Sequence, residues 1–303
     1  MLDGLSEKRL DFNQIFNYGP YNETIITNIY FNLGSKFADY RWFQVFPAVL
    51  NFVLIFKISI YFKKNYNVKF VSIALYVFSI ISVSSLLGLT TGIRQNTAWA
   101  FLAFSIFYDF FEIKKKNYIS FVLYLIPVLI HTSTIPFIIL RIILILIKKI
   151  PSLKYFLILW PISLFFIVRF DFSNQGLFHS AIKTLIHHET REYIVTAKFL
   201  VAMIIYPIYF HISFELNKLG TKNKIFSKSY HNYFVMVILF GMSSIMVPTL
   251  FERTIELLMF ISLPFYSYLD GIKFPLKKLE LISIIAMYTV LFYWQDIMNH
   301  YFF

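Results

Sequence analysis

The chain has 303 residues, 58% hydrophobic and 20% aromatic, with a mean hydropathy of +0.65 and a formal net charge of +12. No ordinary soluble domain has this composition, and several stretches reach the length that crosses a bilayer, so the expected class is an all-α, polytopic integral membrane protein. The absence of cysteine excludes disulfides and thiolate chemistry, and the positive charge lies in short clusters between apolar spans, which excludes a nucleic-acid partner.

Residues 1–41 are polar and mixed, with Asp3, Glu7, Lys8, Arg9, Asp11 and Glu23, and contain no apolar core of a cleavable signal peptide. They read as an outer N-terminal segment, with an interfacial amphipathic helix over 21–41 through Ile25, Ile29, Leu33 and Phe37. Residues 42–303 read as one transmembrane domain of about ten apolar segments, near 42–62, 70–88, 95–112, 118–131, 134–148, 154–170, 196–215, 232–250, 254–270 and 280–296. Residues 118–148 run between two lysine clusters and carry His131-Thr132-Ser133-Thr134 and Pro136 in the middle. One helix would put the clusters on opposite sides of the membrane; two short helices broken at His131 keep them on one side, and the broken pair is the expectation.

Charge sets the orientation. With the lysine clusters inside, 16 cations fall in inner loops and 10 in outer segments, which places both termini outside; Lys57 and Arg141 lie within spans. A polar outer N-terminus with no preceding helix is hard to translocate, so a helix upstream of residue 1 is expected. Cation type is also segregated. Every inner-loop cation is lysine, whereas all seven arginines (Arg9, Arg41, Arg94, Arg141, Arg169, Arg191 and Arg253) lie outside or within the membrane. Lysine suffices for topology, while the planar guanidinium grips phosphate through two parallel hydrogen bonds. The pattern points to an anionic, phosphorylated ligand at the outer face.

Two places sharpen this. Arg94 opens the third segment after Gly88 and Gly92, beside Gln95 and Asn96. It is either a snorkelling interfacial arginine or part of an anion site at a helix N-terminus, where free N–H groups and the dipole add to the guanidinium. Arg253 opens the ninth segment in the same way, with Glu256 three residues on as an available counter-charge. The longest outer loop, 171–195, crowds His179, His187, His188, Glu189, Arg191 and Glu192. As a helix it would pair His187 with Arg191 and His188 with Glu192 at i+4, and a histidine held by a carboxylate is a candidate general base. Adjacent histidines cannot both face one metal from a helix and no H-E-x-x-H occurs, so no metal site is expected.

Gly92-Ile93-Arg94-Gln95-Asn96-Thr97-Ala98 before a long apolar run, then Lys114, Lys115 and Lys116, then an apolar helix ending in His131-Thr132-Ser133, resembles the EpsG-type, Wzy-like polysaccharide polymerases. Arg253 near the start of a late helix is similar to the family as well. The family begins with a membrane helix and an outer segment containing aspartate and tyrosine; here Asp11-Phe12 and Glu23 match only the second part. The resemblance implies a polymerase of exopolysaccharide, capsule or O-antigen repeat units in the bacterial plasma membrane. Its donor chain is carried on undecaprenyl diphosphate at the outer leaflet, and its acceptor is another lipid-linked unit. Arg94, His131, Arg253, His188 and Glu192 are the catalytic candidates; Gln95, Arg169, Arg191, His187 and Glu189 are the substrate-binding candidates. No cofactor is expected. The implied partners are the lipid-linked oligosaccharide, the bilayer and other polysaccharide-assembly membrane proteins. A transporter of lipid-linked sugars would also hold buried arginines, but is expected to show internal repeats or paired broken helices. A membrane acyltransferase would use an intramembrane histidine such as His131.

Overall fold

The computed structural model describes residues 26, 29–30, 40–84, 93–111, 117–147, 205–207, 209–211, 213, 228–244 and 248–269. Every regular element among the described residues is helical: α1 (Tyr40–Tyr66), α2 (Phe70–Ser84), α3 (Ile93–Phe111), α4 (Asn117–Ile130), a 3₁₀ turn (Thr132–Thr134), α5 (Ile135–Ile147), α6 (Lys228–Ser243), α7 (Pro248–Phe260) and α8 (Leu263–Leu269). Among them α1 is long and apolar enough to cross a membrane over Val45–Tyr66, and Phe70–Ile81, Ile119–Ile130 and Thr132–Ile147 are shorter apolar helices. The segments expected near 154–170 and 280–296 and the outer loop 171–195 lie outside the described residues. So does most of the interfacial segment, of which Ile26, Ile29 and Tyr30 are helical. The chain divides at residue 138 into two compact units.

In the first unit, α3 is the central helix, with α1 packed on one side and α4 on the other. Helices α1 and α3 run parallel: Phe62 sits edge-on against Phe107 and Phe111, with centroids 5.3 and 4.9 Å apart, and the Tyr61 hydroxyl donates to the Phe111 carbonyl at 2.8 Å. Such aromatic pairs contribute about 0.5–1.5 kcal/mol each beyond area burial. On its other face α1 exposes Phe46, Val49, Val53, Phe56 and Ile60, spaced three and four residues apart. A helix apolar on both faces suits lipid on one side and protein on the other.

Helix α4 returns antiparallel along α3 and contains Pro127, which has no N–H for the carbonyl of Leu123 four residues back. The Ser105 hydroxyl of α3 lies 2.9 Å from that oxygen and 2.7 Å from its own Phe101 carbonyl, so one proton serves both acceptors. The neighbouring helix thus supplies the donor that the proline removes. Ser105→Ala is expected to cost about 1–3 kcal/mol, the cost of a buried acceptor left alone. In a Pro127→Ala background, which restores the N–H, the same change should cost close to nothing. The midpoint of detergent-induced unfolding across the four variants measures this coupling.

In the second unit, α6 packs on α7. The Tyr206 hydroxyl donates to the Phe251 carbonyl at 2.6 Å and the Tyr230 hydroxyl to that of Ile261. A Cβ on Gly241 would collide with the Tyr206 hydroxyl, so glycine lets that ring approach α6. The expected ninth segment, 254–270, differs from the structure in two respects. The helix starts six residues earlier, at Pro248, because proline is well suited to a first helical position. It then breaks at Ile261-Ser262 and restarts at Leu263, with Pro264 unable to continue the preceding helix's hydrogen bonds.

Candidate functional site

The break expected at His131 is present. Helix α4 ends at Ile130, His131 is extended at φ −153°, ψ 122°, and α5 starts at Ile135 after the 3₁₀ turn. Groups on both sides of the break find local partners. The His131 N–H donates to the Pro127 carbonyl at 2.8 Å, and the His131 carbonyl accepts from the Thr134 hydroxyl at 2.9 Å. The ring caps the turn, its Nδ1 accepting from the Ser133 N–H at 3.1 Å. An Nδ1 used as acceptor puts the proton of the neutral imidazole on Nε2, so the ring's far side is a donor. In this tautomer half-buried His131 has its Nδ1 lone pair taken by the Ser133 N–H and carries its proton on Nε2.

The 3₁₀ turn packs against α3, and Phe137 just beyond it meets buried Trp99 edge-on at 5.4 Å. The break thus sits beside the N-terminal half of α3. Arg94 is the second residue of that helix, whose first turn holds no acidic residue, and half-buried Gln95 follows it. The first backbone N–H groups of a helix have no intrahelical partner and the dipole there is positive, so a cation at this point is disfavoured until an anion joins it.

Beneath Arg94 lies a polar layer. Asn51 is fully buried, and Asn96 and Thr97 are 6% and 7% exposed. Asn51 stands eleven residues before Phe62, and Asn96 eleven before Phe107. Because Phe62 and Phe107 touch and eleven residues is close to three turns, Asn51 faces α3 at the level of Asn96 and Thr97. Both amide atoms of Asn51, the Thr97 hydroxyl and, on the 3₁₀ turn, the Ser133 hydroxyl are buried without hydrogen bonds among the described residues. Orphaned polar atoms cost about 1–3 kcal/mol each, a cost that a ligand rich in hydroxyl groups would relieve. Sequence reading passed over Asn51; its signal was an amide inside the apolar run Val49-Leu50-Asn51-Phe52-Val53.

The remaining candidates fall elsewhere. Arg253 is half-buried in the second unit, and because α7 starts at Pro248 it lies in the second turn rather than at the helix mouth. Glu256 is half-buried one turn beyond it. Arg169, His187, His188, Glu189, Arg191 and Glu192 lie outside the described residues. No group of three or more potential metal-ligating side chains occurs among the described residues.

A span-length apolar helix, shorter apolar helices and polar side chains held between them fit a membrane-associated protein. The EpsG family model matches residues 25–303, and the chain belongs to the EpsG family, which places it in polysaccharide biosynthesis of the polymerase type. No curated protein and no solved structure matches it.

Proposed function

We propose that the chain is a multi-pass plasma-membrane polymerase that joins oligosaccharide repeat units carried on undecaprenyl diphosphate into capsule, exopolysaccharide or O-antigen. Family membership across residues 25–303 is the observation that carries this reading. The local chemistry supports it. The bond between the sugar's anomeric carbon and the diphosphate breaks, the diphosphate leaves with the bonding electrons, and a new bond forms to an acceptor hydroxyl whose proton passes to a base. Arg94 and Arg253 would meet the charge growing on the diphosphate. The Nε2–H of His131 would donate to an oxygen of the leaving group or the sugar, and Asn51, Thr97 and Ser133 would take sugar hydroxyls. The base would come from the outer loop, His188 held by Glu192. The sugar would pass through an oxocarbenium-like state, as in other glycosyl transfers.

Deleting the gene and analysing lipid-linked glycans tests the proposal: single repeat units should accumulate on the outer side of the membrane. The second break, at Ser262, favours the transporter as the alternative, since transporters pair discontinuous helices. A transporter's loss would leave the units on the inner side. An acyltransferase acting through His131 as base is disfavoured by the occupied Nδ1.

Orientation is checked separately. A cysteine introduced at Ser173 is expected to react with an impermeant thiol reagent in intact cells, and one at Ser227 is not. The opposite pattern would invert the topology read from the cation bias.

A further inference from the structure

The opposite end of the first unit carries a second site. A cavity of about 540 Å³ lies between the C-terminal halves of α1 and α3, lined by Lys57, Tyr61, Lys64 and Asn65 from α1 and by Phe104 and Tyr108 from α3, among others. Lys57 and Lys64 are two helical turns apart and therefore share a face. Among the described residues that line the cavity none is acidic, and two ammonium groups border one space. Lys57 lies inside the span Val45–Tyr66, where a cation is retained only if its amine reaches water or an anion. Ile60, which lines the cavity, continues along α1 into exposed Phe56 and Val53. A charged pocket thus opens onto an apolar track running along the span.

We infer that this cavity binds an anionic phospholipid, with its phosphate between Lys57 and Lys64 and an acyl chain along Ile60, Phe56 and Val53. A headgroup phosphate relieves the repulsion between the two ammonium groups, and the track suits a chain that a soluble anion lacks. The end of α1 that carries Lys63 and Lys64, with Lys69 just beyond it, assigns the lipid to the leaflet opposite the site of Arg94 and His131. This inference does not depend on the polymerase reading.

The test uses the purified full chain in mixed micelles of phosphatidylglycerol and phosphatidylcholine at equal amounts, with retained lipid counted by native mass spectrometry. The unaltered chain should retain phosphatidylglycerol about thirty-fold over phosphatidylcholine, as expected for two lysine contacts. Lys57→Gln with Lys64→Gln should bring the ratio close to one. Lys63→Gln with Lys69→Gln, which removes the same charge outside the cavity, should leave it high. Equal loss in both pairs would show general surface attraction and overturn the site. Absence of any preference in the unaltered chain would overturn it without recourse to a variant. Millimolar inorganic phosphate should leave the lipid in place; displacement would mean a site for free phosphate and would reject the lipid.

Discussion

Arg94→Lys is expected to cut polymer yield ten-fold or more in a deletion strain carrying the variant, with the glycan ladder shortened accordingly. The reasoning is geometric. Lysine keeps the charge at the start of α3 but not the planar fork, and a ten-fold loss corresponds to about 1.4 kcal/mol, the order of one charge-assisted contact. An intact ladder from both Arg94→Lys and Arg253→Lys would remove the diphosphate from the site. If lysine works where alanine fails at either position, the site needs charge alone and two-point phosphate recognition is wrong.

The second large effect is at His131. Loss of a preorganised donor aimed at developing charge lowers turnover on the order of 10²–10³-fold, and His131→Ala should fall in that range. His131→Gln separates the two chemistries open to a histidine. Glutamine offers an amide N–H and no basic nitrogen, so it should recover part of the activity if the ring donates through Nε2. Ladders from the glutamine variant as poor as those from alanine would make His131 a base and contradict the tautomer set by the Ser133 N–H. His188→Gln is the matching probe of the outer loop: it should leave single units unjoined on the carrier.

Much of the architecture could be read from the sequence because lipid imposes simple rules. The helices near 42–62, 70–88, 95–112, 118–131 and 134–148 appear within a few residues of their expected places, apolar length and flanking charge being enough to find them. The break at His131 was legible for the same reason, since the lysine clusters on either side of 118–148 demand a reversal that one helix cannot give. What hydropathy does not carry is the rotational phase of one helix against the next. Asn51 is set level with Asn96 and Thr97 only through Phe62 and Phe107, which fix the register of α1 on α3. Ser105 is unremarkable in sequence, and its role depends on which α4 carbonyl lies opposite. The Ser262 break was hidden because Ile261-Ser262-Leu263 barely interrupts an apolar run, leaving Pro264 as the signal. Arg253 was placed at a helix mouth by analogy with Arg94, and the proline at 248 moved it a turn inward.

The shared proton of Ser105 bears on how the protein is made. While α4 stands alone among lipid chains, the Leu123 carbonyl opposite Pro127 has no donor, and an unmet backbone group in hydrocarbon costs several kcal/mol. The helix that supplies the hydroxyl precedes α4 and is joined to it through residues 112–116. If both helices cross the membrane, they gain most by leaving the insertion machinery together as a hairpin, α3 waiting at the lateral exit until its successor arrives. A mutation at Ser105 would then act twice, once on the finished fold and once on the yield of chains that complete integration.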